Sequence, residues 1–132
     1  MRRRFVIQLH AAASGEHYDL MIESGESLAT WRLDRLPADL PAGESIPAAA
    51  LADHRRFFLH YQGPLRCGRG SVRIADAGCC RFLDRREGCW IVELLGESVK
   101  GVFSLTRLDG GRWLLTALDE APRRSEASDD RQ

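Results

Sequence analysis

The sequence has few of the features that mark membrane-bound, secreted or zinc-finger proteins. No apolar run approaches the roughly 20 residues that span a bilayer, and Gln8 and His10 interrupt the apolar stretch that follows the basic start. The four cysteines include no Cys-x-x-Cys pair, which argues against a thiolate zinc site. We therefore predict a cytoplasmic protein without a membrane partner, whose cysteines are reduced and mostly buried. A disulfide framework is the alternative.

Lysine is almost absent, since Lys100 is the only lysine among the 19 basic residues. These 19 basic residues balance 19 acidic residues, so the net charge is zero. A neutral chain excludes binding to nucleic acid through bulk charge but permits a local basic patch. Residues 54–86 form such a patch, in which two aspartates accompany eight arginines: Arg55, Arg56, Arg66, Arg69, Arg73, Arg81, Arg85 and Arg86. The planar guanidinium suits phosphate, although solvated arginines encoded by a GC-rich genome would give the same pattern.

The fold prediction rests on short runs of alternating apolar residues, because no long segment has the 3.6-residue period of a helix. Turn signals such as Asp109-Gly110-Gly111 separate most of the runs. The predicted strands span residues 4–9, 17–23, 27–33, 57–62, 70–75, 80–84, 90–95, 101–108 and 113–118. We predict one all-β domain over 1–118, a small antiparallel β-barrel of about eight strands, with a sandwich as the alternative.

Two segments depart from the strand pattern. Residues 34–53, with their prolines and an alanine-rich run, predict a long loop or a short helical turn. Residues 119–132 lack any large apolar side chain and predict a disordered tail.

Three polar side chains in the first two predicted strands form a candidate metal site. His17 and Asp19 lie two residues apart and share one face of a strand, and His10 ends the preceding strand. Leu20 and Ile22 are apolar, so the opposite face is predicted to belong to the core. Two imidazoles and a carboxylate form a three-ligand set with positions open for water and substrate. A surface His-x-Asp pair beside an unrelated loop histidine is the alternative.

A further histidine, His54, lies between Asp53 and Arg55, where the predicted loop leads into the next strand. A histidine there suits a general acid, a phosphate ligand or a fourth metal ligand. The alternative is a solvated loop histidine.

Seven short segments follow one another in a set order: FVIQLHAA at 5–12, HYDLMIE at 17–23, LATW at 28–31, ADH at 52–54, GRGSV at 68–72, LGESVKG at 95–101 and WLL at 113–115. In that order they resemble the 3′-phosphoesterase domain of bacterial DNA ligase D, which also occurs as a stand-alone protein. The resemblance covers about residues 4–120 and is specific as an ordered set rather than in any one motif.

The resemblance implies a β-barrel enzyme that trims the 3′ ends of DNA at a primer–template during end joining. Such enzymes remove a terminal ribonucleotide remnant and then a 3′-phosphate, and separate ligase and polymerase proteins are possible partners. They use a divalent metal, most often Mn²⁺; Zn²⁺ or another divalent ion is the alternative.

The resemblance also implies a role for individual residues. His10, His17 and Asp19 match the metal ligands, and His54 matches the histidine that contacts the scissile phosphate; these four form the implied catalytic set. Arg35 matches a basic position that engages substrate. Neighbouring arginines, above all Arg55 and Arg56, are predicted to add phosphate donors.

Three positions differ from the family pattern: Met21 stands where the family has arginine, Phe58 where it has tyrosine, and Ala52 where it has an acid. Losing a charged phosphate donor weakens transition-state stabilisation. Either the activity is weakened, or another arginine supplies the charge from elsewhere, the candidates being Arg32, Arg55, Arg56 and Arg69.

Three other functions are alternatives to the phosphoesterase. The first is a non-catalytic metal-binding module of the same fold that binds DNA ends or a repair partner. The second is a phosphoesterase that acts on another substrate, such as a cyclic phosphate or a nucleotide. The third is a cupin-like iron oxygenase, because His17, Asp19 and a later histidine mimic a facial triad.

Overall fold

The computed structural model describes residues 2–119, which form nine strands and three short 3-10 helices. The strands are β1 (Arg2–Ala12), β2 (Gly15–Ser24), β3 (Ser27–Leu33), β4 (Ser45–Arg55), β5 (Gly63–Pro64), β6 (Ser71–Arg86), β7 (Cys89–Gly96), β8 (Lys100–Asp109) and β9 (Arg112–Leu118). The 3-10 helices are η1 (Pro37–Asp39), η2 (Arg56–Leu59) and η3 (Arg66–Gly68). Within the described range, every helix is too short or too polar to cross a membrane.

The strands close into an eight-stranded antiparallel barrel. Their order is β1-β2-β3-β4-β9-β8-β7-β6, and β6 pairs again with β1 to complete the ring. The two-residue strand β5 pairs with β6 beside the ring. Among residues 2–119, closure leaves no long edge strand with unpaired backbone groups. The predicted small antiparallel barrel is thus confirmed, as is the hairpin at Asp109–Gly111, where Gly110 takes a positive φ of 50°.

Three local predictions need correction. The predicted strands over 70–75 and 80–84 are one continuous strand, β6. Residues 34–53 do contain the short helical turn η1, but β4 begins at Ser45, so the predicted loop is shorter. Ala48 pairs with Trp113 on β9, and Ala50 with Trp31 on β3. Because β4 pairs with β3 on one side and with β9 on the other, this alanine-rich run belongs to the sheet, although alanine has a low strand preference.

The predicted strand over 57–62 is wrong, because residues 56–59 form the 3-10 helix η2. This helix belongs to residues 56–70, which we call the covering segment because it packs on the outside of the barrel. Leu59 is buried against Val6, Met21 and Leu28. Gln8 fastens the segment by donating its side-chain amide to the backbone carbonyls of two covering residues, at 3.0 and 3.1 Å. Burial against the barrel, rather than alternation, shapes this stretch.

The two faces of β2 have different environments, as the alternation predicts. Leu20 and Ile22 belong to the main core inside the barrel, and Tyr18 packs against that core. His17, Asp19 and Met21 project from the opposite face, which the covering segment partly encloses. The barrel therefore serves as a rigid frame, and the candidate site lies on its outer surface.

All four cysteines are free thiols. The prediction that they are mostly buried is wrong, because only Cys80 is buried, whereas Cys79 and Cys89 are half-buried. Cys80 lies in the core, where burial raises the pKa of its thiol to about 12, whereas Cys67 is exposed. Apart from Asp119, the predicted tail over 119–132 lies outside the described residues.

Candidate metal centre and phosphate pocket

The β1–β2 hairpin brings the three predicted metal ligands together. His10 and His17 are direct cross-strand partners, and Asp19 follows on the same face of β2. His10 Nδ1 lies 3.0 Å from His17 Nε2, and His17 Nε2 lies 3.4 Å from Asp19 Oδ1. One donor atom from each residue falls within 4.8 Å of the other two. The short turn between the strands thus assembles the whole set.

A backbone carbonyl orients the His10 ring. His10 Nε2 lies 2.7 Å from the carbonyl oxygen of Arg69, in the covering segment. Because a carbonyl only accepts, Nε2 carries the proton, and the lone pair of the neutral ring resides on Nδ1, toward His17 and Asp19. Such an outer hydrogen bond fixes the tautomer of a metal-binding histidine.

The donor set fits a divalent ion. Asp19 is 4% exposed, yet its Oδ1 makes no hydrogen bond with any described residue. A buried oxygen without a partner is costly, and a cation would supply the missing interaction. Ligands that bind one ion at about 2.0–2.2 Å lie roughly 3–3.5 Å apart, which matches the two shorter spacings. One carboxylate and two imidazoles suit Mn²⁺ or Zn²⁺.

The electrostatics of His17 favour the neutral, metal-binding form of its ring. Burial lowers the pKa of His17; the Asp19 carboxylate opposes this effect, while Arg32 and His10 add to it. The net shift is downward. A ring that gives up its proton more readily offers its lone pair to a cation at neutral pH.

His54 faces the same pocket from β4. The pocket has a volume of about 200 Å³, and His10, Asp19 and His54 all line it. Strand register places His54 opposite Leu28, and its ring meets Phe58 edge-on with centroids 5.5 Å apart. His54 Nδ1 lies 3.0 Å from the carbonyl of Ala52 and therefore carries a proton, which leaves Nε2 free for a ligand.

Only some of the predicted arginines reach this pocket. Arg32 and Arg69 line it, and Arg32 Nε lies 3.7 Å from Asp19 Oδ1. Arg55 lines a neighbouring groove. Arg56 pairs with Glu23 at 2.7 Å, and Arg35 pairs with Glu44. Arg35 and Arg56, whose acidic partners lie outside the pocket, therefore do not line it, whereas Arg32 lines it beside Asp19.

The positions of two further pocket residues, Arg32 and Gln8, follow from the sequence only once the pairing of the strands is known. Arg32 is the direct cross-strand neighbour of Asp19, a pairing that follows once the Ser24–Ser27 turn sets the register of β2 and β3. Gln8, which also lines the pocket, precedes His10 by two residues and shares its face of β1. Only the hairpin pairing distinguishes these two from other polar residues.

Met21 and Phe58, which differ from the family pattern, sit in different settings. Met21 is 1% exposed and packs among Val6, Leu28 and Leu59, so its position is apolar and closed. Phe58 is half-buried and lines the pocket beside His54. Met21 is therefore part of a small apolar cluster, and Phe58 places a ring without a hydroxyl in the pocket wall.

Comparison with known proteins finds one kind of relative. The multifunctional non-homologous end joining protein LigD of Mycobacterium bovis is 34% identical over 119 residues, which include 83% of this chain. LigD proteins from two strains of Mycobacterium tuberculosis give the same values. The chain spans about 15% of the length of these curated relatives, so it is related to one domain-sized part of them. No family model matches the chain.

Proposed function

We propose that this chain is a metal-dependent phosphoesterase that trims the 3′ ends of DNA during end repair, removing a ribonucleotide remnant or a 3′-phosphate. One observation carries the proposal: His10, His17 and Asp19 converge in a pocket that also holds His54 and arginine side chains. The relationship to part of LigD, whose name assigns it to non-homologous end joining, supports DNA as the substrate.

The ion would be held by His10 Nδ1, His17 Nε2 and the Asp19 carboxylate, with Mn²⁺ as our first choice and Zn²⁺ as the alternative. When bound, a divalent ion supplies Lewis-acid polarisation and activation of water. The protein holds these donors in place through the Arg69 carbonyl and through burial of Asp19. The site therefore needs little rearrangement on loading.

Arg32 and Arg69 bind the phosphate from opposite sides of the pocket in this proposal. Arg32 reaches it from β3 and Arg69 from the covering segment. Guanidinium donors stabilise charge that develops on phosphate oxygens in the transition state. These two side chains take over the contact that the family arginine would make from the position of Met21.

His54 acts as the general acid in this proposal. The Ala52 carbonyl accepts a hydrogen bond from Nδ1–H and fixes the ring. In the protonated ring, Nε2–H then donates its proton to the leaving 3′-oxygen, which prevents release of an unstable alkoxide. Phe58 packs against the imidazole and restricts its rotation.

A second candidate is a non-catalytic module of the same fold that binds DNA ends or a repair partner. The closed, apolar surroundings of Met21 favour this second candidate, because the position where the family has an arginine supplies no cation to bind phosphate. This candidate predicts DNA binding that weakens with salt and no change to the strand.

A gel assay tests the catalytic proposal. The substrates are two 5′-labelled primer–templates in Mn²⁺, one with a 3′-terminal ribonucleotide and one with a 3′-phosphate. We expect trimming by the wild type, none by His17→Ala, and a loss of about 100-fold or more for His54→Ala and Arg32→Ala, each of which removes a transition-state contact.

His60→Ala is the matched control, since His60 is an exposed histidine of the covering segment that does not line the pocket. It should trim as the wild type does. Absence of trimming by a folded wild type that binds Mn²⁺ would overturn the enzyme proposal in favour of the binding module. Equal activity in wild type and His17→Ala would overturn the proposed metal site.

A further inference from the structure

An aromatic groove adjoins the phosphate pocket along the covering segment. It has a volume of about 470 Å³, within the range of ligand sites. Phe58, Leu65 and Arg69 line both cavities. The groove is therefore continuous with the pocket, and whatever occupies it lies next to the group bound at His54 and Asp19.

The groove presents aromatic rings to solvent. Phe57 is 57% exposed, which is unusual for a large apolar side chain in this barrel. Its ring lies 4.9 Å from that of Tyr61 at an interplanar angle of 33°, and Phe58 stands edge-on to both. The Tyr61 hydroxyl donates to the carbonyl of Pro64, which holds that ring in place. The Phe57 ring thus packs obliquely on a fixed Tyr61 ring and keeps more than half of its surface exposed, where another ring can stack.

The charges around the groove are of one sign. Arg55, Arg66 and Arg69 line it, and none of them takes part in the ion pairs formed among residues 2–119. Elsewhere in the described chain, arginines such as Arg56 and Arg35 engage acids. Exposed rings with unpaired guanidinium groups are the combination that binds single-stranded nucleic acid through base stacking and backbone phosphates.

We propose that this groove binds the terminal nucleobase of the DNA strand whose 3′ end enters the phosphate pocket. The proposal rests on the proposed function for the identity of the strand. Phe57 stacks on the base, Arg69 keeps its contact with the phosphate in the pocket, and Arg55 and Arg66 contact phosphates on the 5′ side. A purely apolar peptide would leave these guanidinium groups unpaired, which is why we favour a base. Stacking tolerates every base, so the groove accepts a terminal base of any identity.

The test uses a strand with a 3′-phosphate and 2-aminopurine as its terminal base, because the fluorescence of this base falls when it stacks. Binding is measured in EDTA, which stops metal-dependent turnover, and trimming is measured separately in Mn²⁺. We expect the wild type to quench the terminal base and to bind a strand with an abasic terminal position about 5- to 100-fold more weakly.

Phe57→Ala should bind the complete strand about 5- to 100-fold more weakly and lose most of the quenching. Removing the base should then cost little further, since the two changes delete the same contact. Phe57→Trp should retain the affinity. Leu108→Ala is the matched control, because Leu108 is equally exposed, at 53%, but lies on β8 outside the groove. It should bind as the wild type does.

The outcomes separate the two proposals. Equal affinity of wild type and Phe57→Ala, or no binding of DNA at all, overturns the groove assignment, whereas trimming in Mn²⁺ would leave the phosphoesterase proposal standing. Quenching that depends on Phe57 without trimming supports the groove and overturns catalysis. A folded Phe57→Ala is expected, since that side chain is mostly outside the core.

Discussion

At the scale of single residues, the outward face of β2 changes from polar to apolar within one step. Asp19 completes the proposed metal-ligand set, and Met21, two residues later, is buried among Val6, Leu28 and Leu59. The side chains around Met21 are apolar and suit a neutral side chain. The charge that the family places there is supplied from Arg32, the cross-strand neighbour of Asp19, in our proposal.

Met21→Arg should therefore destabilise the protein rather than restore activity. An unpaired guanidinium in this closed cluster costs roughly 3 kcal/mol or more of unfolding free energy. Met21→Leu, a volume-conserving change, should cost less than about 1.5 kcal/mol. Urea denaturation of the three proteins measures the difference. A stable Met21→Arg protein with raised phosphoesterase rate would contradict the assignment of Arg32.

At the scale of elements, Glu23 fastens the covering segment to the first two strands. Its buried carboxylate accepts the backbone N–H of Arg4 at 2.7 Å and pairs with the guanidinium groups of Arg4 and Arg56. Burial by itself raises the pKa of Glu23, but these partners outweigh it and the net shift is downward. One side chain thus joins β1, β2 and η2.

This lowered pKa predicts a stability that depends on pH. A carboxylate with a depressed folded-state pKa stabilises the fold above its unfolded value, 4.5, and loses the effect as the pH falls through the folded value. Glu23→Gln should cost about 1–3 kcal/mol at pH 7, and the difference from wild type should shrink below about pH 4.5. Urea denaturation from pH 7 to pH 3 measures it.

Glu26→Gln is the control for that series, because Glu26 lies exposed in the β2–β3 turn and forms no ion pair among residues 2–119. A constant difference between wild type and Glu23→Gln across the pH range would contradict the anchoring role.

Gly70 brings the covering segment close to the end of β1. Its φ is +93°, and a Cβ atom there would lie 2.0 Å from the Ala11 carbonyl oxygen. Gly68 also has a positive φ, +66°, but a Cβ atom there would meet nothing within 4 Å. Gly68→Ala should cost about 1–2 kcal/mol from backbone strain alone. Gly70→Ala should cost clearly more and should also reduce activity, because Arg69 next to it orients His10.

Thermal denaturation and the gel assay compare the two glycine variants. Equal losses of stability and activity would show that the close approach of Gly70 to β1 does not matter for the site.

At the scale of the whole molecule, the proposed metal ligands lie close to the pairing of β1 with β6 that completes the ring. β1 pairs with β2 on one side and with β6 on the other, and His10 sits in both ladders, opposite His17 and Val72. An ion bound to β1 and β2 therefore stabilises a strand on which closure of the barrel depends. Because the unfolded chain does not hold the three ligands together, binding should raise the stability of the whole fold.

Mn²⁺ should accordingly raise the midpoint of thermal unfolding by several degrees. At a free Mn²⁺ concentration of about 100 times the dissociation constant, binding adds roughly 2.7 kcal/mol to the unfolding free energy. Calorimetry of the chain with and without Mn²⁺ measures the shift. His17→Ala should show none, and His60→Ala should show the full shift. The same rise in His17→Ala would place the bound ion elsewhere.

Several features of this protein are determined by local sequence. Alternating apolar residues specify most strands, and the direction of Leu20 and Ile22 into the core follows from their period of two. The spacing of His10, His17 and Asp19 on two strands joined by a short turn makes their convergence a local matter, which is why it was predictable. The metal, the substrate and the catalytic roles of these residues stay predictions.

Other features are decided only by tertiary structure. Ala48–Ala52 join the sheet because β3 and β9 lie on either side, and residues 56–59 form a 3-10 helix because Leu59 is buried against the outside of the barrel. Similarly, Arg32 and Arg69 reach the pocket whereas Arg35 and Arg56 engage acids. Apart from the pairing of Arg35 with Glu44, nine residues away, these outcomes depend on contacts between residues far apart in the chain, and alternation or composition along one segment carries no information about such contacts.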